Sequence, residues 1–173
     1  MLWFDWMTLG IILAVAVLQA VGAAKVDGFS LALFQALFVS LAAVAAVALY
    51  RPLALALNLE RWVALAGLFI VLGIAALLLG RLAYSFTGWS FGTFDAPLGF
   101  IFGLVTGWAV AHVVLRVIVE KQGYSGPVAQ NLARAPVAAE VYWFRTWNKL
   151  ASVLFKARFG GREMWDVDKH GIE

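Results

Sequence analysis

The chain has 173 residues, 64% of them hydrophobic and 13% charged, with a mean hydropathy of +0.89 and a formal net charge of +3. A soluble domain carries about 45–50% apolar and about 25% charged residues, so a water-soluble globule is excluded, and a charge this small and dispersed gives nucleic acid no footing. With no cysteine, disulfide frameworks, thiolate metal sites and cysteine nucleophiles are excluded as well.

Between Met1 and Leu115 stand only eight charged residues: Asp5, Lys25, Asp27, Arg51, Glu60, Arg61, Arg81 and Asp95. All lie between or beside long apolar runs, as the cost of a charge at the centre of a bilayer requires. Four runs reach the roughly 20 apolar residues that a spanning helix needs. The predicted class is therefore an all-α membrane protein: four transmembrane helices, residues 6–24, 29–50, 62–82 and 96–119, in a domain covering 1–119, then a basic amphipathic tail, 120–173.

Span one is expected to be a retained helix rather than a cleaved signal, because Met1 to Asp5 lacks the basic residues of a signal sequence. Asp5 is placed to cap that helix. Lys25-Val26-Asp27-Gly28 predicts a tight turn. Span two is expected to stop at Arg51-Pro52, and 53–61 to lie along the interface. After span three, Ala83–Phe94 is rich in glycine, serine and aromatics and predicts an interfacial loop, or else a short re-entrant dip. Asp95-Ala96-Pro97 reads as a cap followed by proline in the first helical turn. Trp3, Trp6, Tyr50, Trp62, Tyr84, Trp89 and Tyr124 fall at the ends of the runs, the headgroup position of amphipathic rings.

Span four carries the most specific feature, Gly99-x3-Gly103-x3-Gly107-x3-Ala111. These small residues share one helix face and allow close helix contact, with Ala32, Ala36 and Ser40 of span two as the expected receiving surface. A self-association face or a backbone-lined pathway is the alternative. Trp108, His112, Arg116 and Glu120 line a second face, read as Arg116 snorkelling and pairing with Glu120, against a proton-linked or anion-binding column. Asp95 is a cap, or else a buried acid partnered by Arg81. No catalytic, cofactor-binding or metal-binding residues are predicted: Ser and Thr lack a histidine base, His112 is the one histidine near the membrane, and Gly88–Gly92 follows no strand.

Gln122–Pro136 reads as a hinge or a short irregular segment. Beyond it, Ala138–Phe159 has helical periodicity, with Arg145, Lys149, Ser152 and Lys156 in one stripe opposite Trp143, Trp147, Leu150 and Leu154. That pattern predicts a helix lying in the interface with its basic face toward anionic lipids; covering a partner subunit is the alternative. Arg51, Arg61, Arg116, Lys121 and Arg134 on one side outweigh Lys25 and Arg81 on the other, which puts both termini and the tail in the cytoplasm.

Two stretches resemble the colicin V production protein family of bacterial inner-membrane proteins. One is Trp3-Phe4-Asp5-Trp6, directly before the first span. The other is Phe94-Asp95-Ala96-Pro97-Leu98-Gly99 continuing through Gly103 to Gly107, similar to the family's last span with its aspartate and three spaced glycines. The family often has Arg-Gly-Phe between its first two spans, where this chain keeps only Gly28-Phe29, and often an arginine where Thr106 stands. The resemblance covers roughly Met1–Val119. It implies a multi-pass protein of the bacterial inner membrane, linked to export and envelope homeostasis, acting as a non-enzymatic scaffold or accessory component. Its expected partners are the bilayer, further copies of itself or other membrane subunits, and anionic lipids at the tail. An accessory subunit of an energy-transducing or motor complex, and a channel or transporter, are the competing expectations.

Overall fold

The computed structural model describes residues 3–124 and 126–144. Among these the secondary structure is helical throughout: α1 (Trp3–Gly22), α2 (Gly28–Ala56), α3 (Arg61–Thr87), α4 (Asp95–Gln122), α5 (Pro127–Arg134) and α6 (Pro136–Trp143). Helices α1 to α4 are long and apolar enough to cross a membrane. At 1.5 Å per residue, the 29 residues of α2 extend about 43 Å, enough for a hydrocarbon core of about 30 Å and part of both headgroup layers.

The helices begin near the expected places and mostly end later. α2 continues through Pro52 to Ala56 instead of stopping at it, and Asn58, with φ 51°, reverses the chain. Proline removes one backbone bond, but near a helix end at headgroup level water replaces it, and Tyr50 and Ala54 on either side stay buried. α3 takes up Ala83–Thr87, which the sequence assigned to a loop. Ser85 and Thr87 turn their hydroxyls back onto the carbonyls of Leu82 (2.7 Å) and Ala83 (3.1 Å), and Gly88, with φ +52°, closes the helix. The expected tight turn before Gly28 is a π-helical turn, Ala23–Asp27.

The predicted hinge contains α5, started by Pro127, and Pro136 starts α6; in each the missing proline N–H falls where a helix leaves N–H groups unbonded. The helix expected over 138–159 ends at Trp143, because Phe144 takes a left-handed conformation, φ 52° and ψ 35°. The rest of that expected helix, with Arg145, Trp147, Lys149 and Lys156, lies outside the described residues.

α1 packs antiparallel on α4, and α2 antiparallel on α3, while α2 also runs alongside α4. α4 is the most buried of the four and belongs to both apolar cores. One core joins Phe4 and Ile12 of α1, Ala111, Leu115 and Val119 of α4, and Leu132, Ala138 and Val141 of α5 and α6. The other joins Val39, Ala43 and Ala46 of α2, Leu65 and Ala76 of α3, and Ala109 and Val113 of α4. Outward faces carry exposed Leu18, Val44, Ile70 and Leu78, the composition lipid requires.

Candidate functional site: the glycine seam and its two aspartate clasps

The three glycines of α4 are in contact with backbone. A Cβ on Gly103 would stand 2.5 Å from Ala16 Cα, one on Gly107 2.8 Å from Ile12 Cα, and one on Gly99 2.6 Å from Ala23 Cβ and 3.0 Å from the Gln19 carbonyl. Such separations leave room for hydrogen only. The receiving surface is therefore α1, not the Ala32, Ala36 and Ser40 row of α2. Ala32 and Ala36 are buried, and α2 gives its own close contact to α3, where Gln35 packs on Gly80. The signal was present as Ile12, Ala16 and Ala20 of α1 and Ala23 of the π-helical turn that follows, small residues at helical spacing apart from Ile12.

Asp5 and Asp95 stand at opposite ends of this seam, and both reach beyond their own helices. Asp95 Oδ1 accepts the N–H of Phe91 (2.8 Å) and, more loosely, that of Phe29 at the start of α2 (3.4 Å), while Oδ2 accepts the Ser90 hydroxyl (2.5 Å). A carboxylate in this place satisfies donors that a helix start and a loop leave unpaired. The loop is thereby closed under α2, with Phe91 stacked on Phe29, ring centroids 4.8 Å apart. Arg81, the alternative partner, is exposed on α3.

Asp5 is fully buried within the first turn of α1, and its Oδ1 accepts the N–H groups of Val137 (3.0 Å) and Ala138 (3.1 Å). It caps the start of α6. Sequence separation hid this, since nothing local to Asp5 announces a partner 132 positions away.

Beside the seam, Gln19, Gln35 and Thr106 join α1, α2 and α4. Gln19 Nε2 donates to Gln35 Oε1 (3.2 Å) and to Thr106 Oγ1 (3.1 Å), and Thr106 donates back to the Phe102 carbonyl (3.1 Å). Hydrogen bonding among the few polar groups of the spans is what an apolar medium demands.

The column on the second face of α4 divides differently from expectation. Arg116 Nε donates to His112 Nε2 (3.1 Å), and its guanidinium lies 5.3 Å over the Tyr142 ring, so it does not serve Glu120. Glu120 instead accepts the hydroxyls of Tyr50 (2.5 Å) and Tyr124. Burial, and then the bond to Glu120, push the Tyr124 hydroxyl well above the usual tyrosine range; burial raises Tyr142 too. His112 Nδ1 faces the Val141 carbonyl at 2.9 Å. A carbonyl only accepts and a guanidinium only donates, so the proton sits on Nδ1 and the lone pair on Nε2. Phe144 closes over the imidazole, with centroids 4.9 Å apart, and the Trp108 indole N–H is buried without a hydrogen-bond partner. Trp143, expected at the membrane surface or against a partner, is half-buried and meets Tyr142 edge-on.

The structure thus brings together Asp95, Gly99, Gly103 and Gly107, and adds Asp5, Gln19, His112 and Glu120. Among the described residues no group of three or more metal-ligating side chains occurs. No protein-family model matches the chain, and no curated protein or solved structure does so either.

Proposed function

We propose that the chain is a non-enzymatic, multi-pass protein of a bacterial inner membrane, of the colicin V production type, serving as scaffold or accessory component in export or envelope homeostasis. The observation that carries this reading is the fastening of α5 and α6 to the spans. Asp5 holds the start of α6 and His112 holds its end, so the chain after Phe144 departs from a fixed point beside α1 and α4. A bundle closed by backbone contact, with its span polar groups Gln19, Gln35 and Thr106 bonded to one another, suits a rigid platform better than a conduit. The family motif, Asp95 with three glycines, coincides with the residues that make the seam.

On this reading the tail continues as an amphipathic helix at the cytoplasmic surface. Its basic residues Arg145, Lys149 and Lys156 would meet anionic lipids, with Trp147 as an interfacial anchor. Partners are further copies of the chain or other membrane subunits.

The test is the mass of the native particle in mild detergent, with its chains identified by mass spectrometry. Reproducible foreign subunits, or a defined multiple of 18.8 kDa inert in liposomes, support the platform. Ion flux from the pure protein in liposomes overturns it in favour of a channel.

A further inference from the structure

We infer that Arg51, Arg61 and Lys121, grouped around Trp62, form a binding site for an anionic phospholipid at the end of the bundle shared by the start of α1 and α6. The site depends only on the four helices crossing a membrane, not on the scaffold reading.

The construction starts from Tyr50, which is 1% exposed and donates its hydroxyl to Glu120, tying the end of α2 to the end of α4. The next residue on each helix, Arg51 on α2 and Lys121 on α4, follows that bond directly in sequence. Arg51 Nε donates to the Tyr50 oxygen at 3.0 Å, and Lys121 Nζ stands 5.1 Å over the Trp62 ring. Arg61 precedes Trp62 at the start of α3, which puts a third cation on the residue next to the ring that Lys121 covers. All three are exposed. The contact of Arg51 with Tyr50 and that of Lys121 with Trp62 orient these two without supplying negative charge.

Two carboxylates lie in the same group, and both are engaged by neutral donors: Glu120 by two tyrosines, and Glu60 by the Trp62 indole N–H. Three cations against two carboxylates leave a positive cluster.

Its depth selects the ligand. Trp62 and Arg81 are about 28 Å apart along α3 at 1.5 Å per residue, close to the thickness of the hydrocarbon core, so Trp62 marks one boundary. Beside the cations the last turn of α2 exposes Leu55 (81%), and the connection to α3 exposes Leu57 (58%) and Leu59 (44%). A soluble anion would satisfy the charges and leave the leucines in water. A phospholipid covers both, with phosphate against the guanidinium and ammonium groups and acyl chains on the leucines.

The experiment is native mass spectrometry of the full chain, delipidated and then titrated with phosphatidylglycerol or phosphatidylcholine. Selective retention of phosphatidylglycerol is expected. The double variant Arg51→Gln/Lys121→Gln should weaken it about fivefold per charge removed, and the charge-preserving pair Arg51→Lys/Lys121→Arg should retain it. Arg134→Gln, on an exposed residue of α5 outside the cluster, should leave retention unchanged. If the double variant does not fold, Arg61→Gln alone should show the loss for one charge, about fivefold. Equal retention of the two lipids, an unaltered double variant, an equal loss in Arg134→Gln, or displacement of the lipid by millimolar inorganic phosphate would each overturn the assignment.

Discussion

The carboxylate of Asp5 lies 3.0 Å from the backbone nitrogen of Val137, so the first turn of the first span caps the last described helix. The same oxygen takes the Ala138 N–H. Replacing Asp5 with alanine removes a buried, charged acceptor from two amides, a loss of about 1–3 kcal/mol. α6 should then detach locally while the four spans remain folded. Hydrogen exchange at Val137, Ala138 and Ala139 reports this: protection should fall there and hold in α2 and α3. Uniform loss across all helices would mean that Asp5 supports the bundle instead of clasping α6.

Gly103 and Gly73 make a matched pair. A Cβ at Gly103 collides with the backbone of Ala16 at 2.5 Å, whereas one at Gly73 meets nothing within 4 Å. Gly103→Leu should therefore force α1 from α4 and destabilise by at least the roughly 1–3 kcal/mol typical of overpacking, while Gly73→Ala should be neutral or slightly stabilising through helix propensity. Thermal unfolding in detergent checks both. An unchanged midpoint and unchanged particle size for Gly103→Leu would remove the seam from the account.

What the sequence revealed, and what it hid, follows from the range over which each interaction acts. Hydropathy marks a span without reference to its neighbours, so four spans were legible. Gly99, Gly103 and Gly107 announce a close contact because spacing alone places them on one face. Which helix fills that contact depends on packing, and Ala16 on α1 competed on equal terms with Ala36 on α2. Helix ends extended past their expected limits where side chains such as Ser85 and Thr87 bond to the helix they sit on, a choice set by surroundings rather than composition. Asp5 and Glu120 found partners on distant segments, Val137 and Tyr50, while the near reading gave each a neighbour on its own helix.

Asp95 offers a test that separates charge from hydrogen bonding. It accepts from Ser90, Phe91 and Phe29, and the first of these bonds survives an amide because a serine oxygen also accepts. Asp95→Asn should therefore cost less than Asp95→Ala, whose loss stays at about 1 kcal/mol because, of the three donors, only the Phe29 amide is buried. The alanine variant should open the connection between α3 and α4, read as faster exchange at Phe91 and Gly92. Equal stability of the two variants would show that the loop closes without Asp95.

His112 carries a prediction about a single proton. With the Val141 carbonyl at Nδ1 and the Arg116 guanidinium at Nε2, only the Nδ1–H tautomer satisfies both contacts. The chain has two histidines, so in a His170→Gln background nitrogen-labelled protein has one imidazole to report. Its spectrum should show a protonated Nδ1 and a bare Nε2 near neutral pH. His112→Gln, which offers an acceptor at the position of Nε2, should keep Arg116 over Tyr142, whereas His112→Leu should release both the guanidinium and α6. The opposite tautomer would require Val141 to face a lone pair, and α6 would then be held by Asp5 of α1 alone.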